Sequence, residues 1–226
     1  MSTLSIGSDS HTPSYQEIVE WRKTHFKEEI LLKACRVFNQ KGYQNTTMND
    51  IAGELGLSKP GLYYYIKSKD DIVEMIIEYT RVVEEVSVQK IKNDITKLNT
   101  VDALKTYIKD RLKVVDDFQD LYVFRNQLVS ALSRDKRRKL FDAYALFFDE
   151  IDTIIQKGIV SGDFHATDAR FVSFNLSYML TAWALRRWYL RKLYTLESYT
   201  LHLIETTLQM LGEKAVLNKI PDFVGR

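Results

Sequence analysis

The stretch Thr46-Thr47-Met48-Asn49-Asp50-Ile51-Ala52-Gly53-Glu54-Leu55-Gly56-Leu57-Ser58-Lys59-Pro60-Gly61-Leu62-Tyr63-Tyr64-Tyr65-Ile66 carries the fold. Thr46 and Thr47 followed by Asp50 form a helix-start pattern, with Ile51, Ala52 and Leu55 facing inward and Gly56 closing the segment after barely two turns. Ser58 opens a second short helix. Its hydroxyl suits an N-cap, Pro60 lies where a missing amide proton costs little, and Leu62, Tyr63 and Ile66 supply an apolar side. Two short helices joined by Gly56-Leu57-Ser58 make a helix-turn-helix, small enough for its second helix to enter a major groove about 12 Å wide.

Charge supports that reading. The chain has 32 Lys and Arg against 30 Asp and Glu, so nucleic-acid binding has to come from a local patch. Leu55 to Lys69 contains Lys59, Lys67 and Lys69 and no acidic residue. Tyr63, Tyr64 and Tyr65 add hydroxyls that donate to phosphates while their rings support the helix.

Outward from this unit the chain reads as all-α. Only three Pro and nine Gly punctuate it, and apolar residues recur at helical spacing with no strand pattern longer than a few residues. Met1 to Pro13 is rich in Ser and Thr and is expected to be a disordered arm. Phe26, Ile30, Ala34, Val37 and Phe38 predict a first helix ending near Lys41 at Gly42, with Ile18, Val19 and Trp21 extending it or forming a separate turn. Ser68-Lys69-Asp70-Asp71 caps a fourth helix through Val83. Longer stripes follow: Val101 to Val115, Leu121 to Leu132, and Leu140 to Ile154, the last ended by Gly158 and Gly162. An uncharged helix from Thr167 and Asp168 through Leu190 and a last helix from Ser198 to Leu211 complete the pattern. The expected organisation is an arm or helical extension over 1–25, the DNA-binding unit over 26–70, a helical effector-binding and dimerisation domain over 71–217, and a tail over 218–226.

Several function classes lose support. The uncharged run Phe171 to Leu185 is too short to span a bilayer, which needs about 20 residues, and no apolar run resembles a signal peptide. A lone Cys35 rules out an internal disulfide and fits a reducing cytoplasm. His11, His25, His165 and His202 lie apart with no metal-ligand spacing, and no catalytic or phosphate-binding motif appears. The expectation is no cofactor and no catalysis.

The string Thr46-Thr47-x-x-x-Ile51-Ala52-x-x-Leu55-Gly56-Leu57-Ser58-x-x-x-Leu62-Tyr63-Tyr64-Tyr65-Ile66-x-x-Lys69, with Ile30, Ala34, Phe38, Gly42 and Tyr43 before it, resembles the TetR family of bacterial regulators. The resemblance implies that Thr47 caps the second helix and touches phosphate, that Lys59 and Pro60 approach base edges, and that Tyr63, Tyr65 and Lys69 grip the backbone. Ser58, Gly61, Asn49 and Tyr64 complete the implied contact set. The sequence departs from the family pattern at Tyr65-Ile66, where His-Phe is more usual, and at Pro60-Gly61, which offers few donors to bases.

The resemblance also implies a homodimer built on the last two long helices, a near-palindromic operator, and a pocket among the middle helices whose ligand moves the fourth helix. Aromatic candidates for that pocket are Phe118, Tyr122, Phe147, Phe174, Tyr178 and Trp183, with Asn175 and Arg125 as polar anchors. They suit a lipophilic effector. The segment Arg186-Arg187-Trp188-Tyr189 followed by Leu196-Glu197 is similar to the tail of members that sense fatty acyl-CoA, without the usual glycine between. Singly, each aromatic is more often core packing than pocket lining, and Arg134 to Lys139, with five bases and one acid, reads as a solvated helix start. The rival class is a helical carrier or enzyme that keeps a non-functional helix-turn-helix-like head.

Overall fold

In the computed structural model, which describes residues 15–165 and 168–212, helices follow one another without a described strand. They are α1 (Tyr15–Lys41), α2 (Met48–Leu55), α3 (Lys59–Tyr65), α4 (Lys69–Lys97), α5 (Thr100–Asp117), α6 (Gln119–Leu128), α7 (Arg134–Ser161), α8 (Ala169–Leu185), α9 (Arg187–Leu193) and α10 (Leu196–Met210), with a 3-10 turn at Val129–Ala131. The expected arm over 1–13, Thr167 and the tail over 218–226 lie outside the described residues.

Short polar side chains start these helices by accepting orphan amides. Asn99 accepts from Asp102, Ser133 from Lys136, Asp168 from Phe171 and Thr195 from Ser198. Between α2 and α3 the chain must reverse abruptly, and Gly56 takes φ 67°, a left-handed geometry that penalises any Cβ.

Burial divides the apolar side chains into two clusters. The first joins Ile30, Ala34 and Phe38 of α1, Ile51 of α2, Leu62 of α3 and Ile72 and Ile76 of α4 to Leu121, Phe124 and Leu128 of α6 and Leu140 of α7. The second lies among α5, α7, α8 and α10, around Leu104, Ile108, Ile151, Ile155, Leu176, Leu180 and Leu208. Packing therefore continues across residue 70, and α4 and α6 belong to the head as much as to the body.

Of the two readings left open for Ile18 to Trp21, the helical extension holds, since the first helix begins at Tyr15; three other expectations change. α4 runs to Lys97 instead of Val83; Arg81 pairs with Glu78 and Glu85 along it, and Lys90 reaches Asp110 of α5 at 2.5 Å. Gly158 is internal to α7, which ends at Ser161 on Gly162. The helix expected through Leu190 breaks at Arg186, and α9 departs so that Arg187 meets Asp120 at 3.1 Å and Arg191 meets Asp116 at 2.6 Å.

Gly158 persists inside a helix for a steric reason. A Cβ there would overlap the buried Phe164 ring, standing 2.9 Å even from Cγ. Helix propensity alone favours Gly158→Ala by about 1 kcal/mol, whereas overpacking costs about 1–3 kcal/mol. Gly158→Ala is therefore expected to lower the urea midpoint; a raised midpoint would show that the ring moves aside freely.

Candidate nucleic-acid interface

The interface is built on α2 and α3. Thr47 and Asp50 form a reciprocal cap: the Asp50 amide donates to Thr47 Oγ1 at 3.2 Å, and the Thr47 amide and hydroxyl donate to Asp50 Oδ2 at 2.8 and 2.7 Å. Lys41 Nζ closes on the other oxygen at 2.5 Å. Donation first from Lys41 and then from Thr47 holds the Asp50 carboxyl well below the usual carboxylate range. The start of α2 is thus fixed onto the end of α1.

Ser58 Oγ accepts the Gly61 amide at 3.2 Å and starts α3, whose Leu62 is buried beneath it. Its first turn and its two leading tyrosines turn outward. Ser58, Lys59 and Pro60 are exposed, Tyr63 is 41% exposed and Tyr64 is 75% exposed. Lys59 Nζ sits 5.9 Å from the Tyr63 ring centroid, so ammonium and phenol share one face. Thr47 and Asn49 are exposed on the adjoining helix start. The turn that begins at Ser58 is therefore a projecting basic and phenolic surface, the form that a phosphate backbone requires.

Two residues expected at phosphates are engaged inside the head. The Tyr65 ring packs on Phe26 with centroids 4.6 Å apart and takes Tyr64 edge-on at 5.0 Å. Lys69 Nζ donates to the Tyr43 and Gln44 carbonyls at 2.7 and 3.2 Å and lies 4.8 Å from the Tyr43 ring centroid. It locks the start of α4 onto the turn between α1 and α2.

A second feature lies in the body. A partly open cavity of about 140 Å³ sits among α5, α6, α7 and α8. Tyr122, Arg125, Phe147 and Tyr178 border it, together with Arg111, Asn126, Tyr144, Phe148, Ser177, Thr181 and Leu185. Phe118, Phe174, Asn175 and Trp183 do not. Trp183 is buried, with its indole donating to Asp116 at 2.8 Å, which is a core role. Asn175 needs no buried partner, since its amide donates to the Phe171 carbonyl one turn back at 2.7 Å. Phe174 faces outward against Phe148 and Tyr178. Arg111 escaped the sequence reading although a signal was present: it stands on the stripe of Ile108, Leu112 and Val115, where a charged residue is out of place.

An exposed reading helix on a three-helix head, joined to a larger helical body with a cavity, defines a DNA-binding regulator. Residues 30–76 match the profile of bacterial regulatory proteins of the tetR family, and residues 97–192 match that of tetracyclin repressor-like C-terminal domains. The chain is 29% identical over 163 residues to YfiR, an uncharacterised helix-turn-helix transcriptional regulator of Bacillus subtilis strain 168, covering 69% of this chain and 78% of that protein. Its fold is similar to that of PfmR, a TetR-family regulator of Thermus thermophilus, with TM-score 0.68 and 23% identity over 80% of this chain and 98% of that one. It is also similar to that of FadR from Bacillus subtilis in complex with stearoyl-CoA, with TM-score 0.63 and 18% identity over 81% and 98% of the two chains.

The chain belongs to the TetR family of bacterial transcriptional regulators. It is a regulator and not an enzyme. The position of Lys69 yields a test. Lys69→Met removes two carbonyl contacts of a charged donor and is expected to cost about 1 kcal/mol in urea denaturation, after allowance for partial exposure. An unchanged midpoint would return Lys69 to a purely phosphate-facing role.

Proposed function

We propose that the protein is a homodimeric repressor released from a near-palindromic operator by a lipophilic small molecule bound in the cavity between α5, α6, α7 and α8. One observation carries the reading: Arg125 borders the cavity and also donates to Thr80 of α4 at 3.4 Å. α4 begins at the head, where Lys69 holds the turn between α1 and α2. A ligand that displaces this guanidinium acts directly on the helix that sets the angle of α3. Release follows if the ligand favours the head geometry that does not fit DNA.

The second copy is argued from α8. Phe171, Phe174 and Tyr178, each half exposed or more, form a stripe at spacings of three and four residues on a helix of high apolar content, and Leu201 of α10 is half exposed. Two copies related by a twofold axis would cover these stripes mutually and present two α3 helices to one side of the duplex. In this arrangement Lys59 and Pro60 face base edges. Thr47, Asn49, Ser58, Gly61, Tyr63 and Tyr64 face the sugar-phosphate chain, and Tyr65 and Lys69 hold the surface in place. No helix among the described residues is long and apolar enough to cross a membrane. The operator is the partner that puts the protein in the cytoplasm.

A second effector reading, a fatty acyl-CoA, is favoured by the stearoyl-CoA held by FadR, a protein of similar fold. The Arg186-Arg187-Trp188-Tyr189 segment adds to it.

Selection of duplexes from a random library by the purified protein tests the proposal. The enriched sequences are expected to be inverted repeats. Asymmetric sites would contradict the twofold arrangement, and no enrichment would favour the carrier reading. Lys59→Ala is expected to lower the slope of log affinity against log salt by about two, one for each copy in the dimer, and to relax the preferred sequence; loss of affinity at constant preference would confine Lys59 to phosphate. Phe174→Arg is expected to shift the sedimenting species from dimer to monomer, and an unaltered dimer would move the interface off α8.

A further inference from the structure

Three lysines lie on the segment from Thr46 to Lys69, and their surroundings differ. Lys59 stands at the first turn of α3 beside the Tyr63 ring. Lys69 is held by the Tyr43 and Gln44 carbonyls and by the face of the Tyr43 ring, although its residue type suits a phosphate. Lys67 falls in the turn from α3 to α4. It is exposed, and among the described residues its ammonium group has no partner.

The backbone that carries Lys67 is fixed while its side chain is not. Ile66, just before it, is buried and donates its amide to the Leu62 carbonyl at 3.1 Å. The Lys67 amide donates to Asp71 Oδ2 at 2.9 Å, and the Asp71 amide donates to Ser68 Oγ at 3.1 Å. These bonds pin the turn and leave the flexible four-carbon stem of Lys67 to follow an anion. The two carboxylates nearest in sequence are engaged elsewhere, Asp71 by the Lys67 amide and Asp70 by Lys136 of α7 at 2.6 Å. Lys136 thereby offsets a negative charge that would repel a phosphate at this end of α3. The span is also suitable. Seven residues at 1.5 Å each make α3 about 10 Å long, close to the major-groove width of about 12 Å. Lys59 is its first residue and Lys67 lies two past its last, so the two ammonium groups belong to opposite ends of the reading helix.

We propose that Lys67 is the cation that grips the phosphate backbone at the far end of α3, opposite Lys59, and that Lys69 is a positioning residue that holds the head together beneath it. The proposal rests on the reading of α3 as the helix that faces DNA. It needs neither an effector nor an identified operator.

Fluorescence anisotropy of a short labelled duplex of arbitrary sequence, titrated with the full-length protein over a series of salt concentrations, tests this, alongside urea denaturation of each variant. Lys67→Gln is expected to lower the slope of log affinity against log salt by about two, one for each copy in the dimer, and to weaken binding about eightfold per copy at about 0.1 M salt. Its urea midpoint is expected to stay unaltered, and Lys67→Arg is expected to restore the slope. Lys69→Met is expected to lower the urea midpoint and leave the slope as it is. An unchanged slope in Lys67→Gln, with a lowered one in Lys59→Ala, would overturn the role of Lys67 and keep α3 on the duplex. A slope lowered by Lys69→Met and not by Lys67→Gln would return the phosphate to Lys69. Absence of duplex binding by the unaltered protein at low salt would overturn the proposal together with the reading of α3 on which it rests.

Discussion

The Phe38 ring of α1 stacks on the Phe124 ring of α6 with centroids 4.6 Å apart and planes 23° from parallel, and both rings are buried. This contact joins head to body. A three-helix head of about fifty residues buries too little surface to be firmly stable alone, so it borrows the apolar faces of α4 and α6. Around the stacked rings, Asn39 of α1 donates to the Asp120 carbonyl at 2.8 Å, and the Asp120 carboxylate faces Arg36 of α1 at 3.6 Å and Arg187 of α9 at 3.1 Å. These ion pairs are half exposed and add little stability. They orient the head and leave the rings to hold it.

The same constraint explains why the cavity lies where it does. α6 contributes Phe124 to the head and, from either side of it in sequence, Tyr122 and Arg125 to the cavity. α4 contributes Ile72 and Ile76 to the head and Thr80 to Arg125. A change of one rotamer at Arg125 is therefore felt by two helices that are also buried against α1. Close-packed interiors do not absorb such shifts gradually, and a head fixed on both helices moves as a unit.

Local chemistry was legible in the sequence wherever a single residue type enforces a geometry. Thr47 with Asp50, Gly56 and Ser58 mark the boundaries of α2 and α3 because caps and left-handed turns admit few alternatives. The family signature lies in the same stretch. Contacts made by long, flexible side chains were less legible. Lys69 and Tyr65 have the residue types of phosphate ligands, yet tertiary neighbours, Tyr43 and Phe26, claim them. Of the aromatic candidates in the body, Tyr122, Phe147 and Tyr178 border the cavity while Trp183 is core, a distinction that periodicity cannot draw because both surfaces are apolar. The break at Arg186 was hidden for a similar reason: the partners of Arg187 and Arg191 beyond it, Asp120 and Asp116, lie some seventy residues earlier.

Native-state hydrogen exchange of the full-length protein, followed across a urea series, addresses the shared core most directly. If α1, α2 and α3 are held through Phe124 and the first turns of α4, the slowest amides of α1 and α6 share one opening free energy and one urea dependence. Exchange of α1 to α3 through a separate, lower-energy opening that leaves α6 protected would show that the head folds by itself, and the coupling between cavity and reading helix would lose its physical basis.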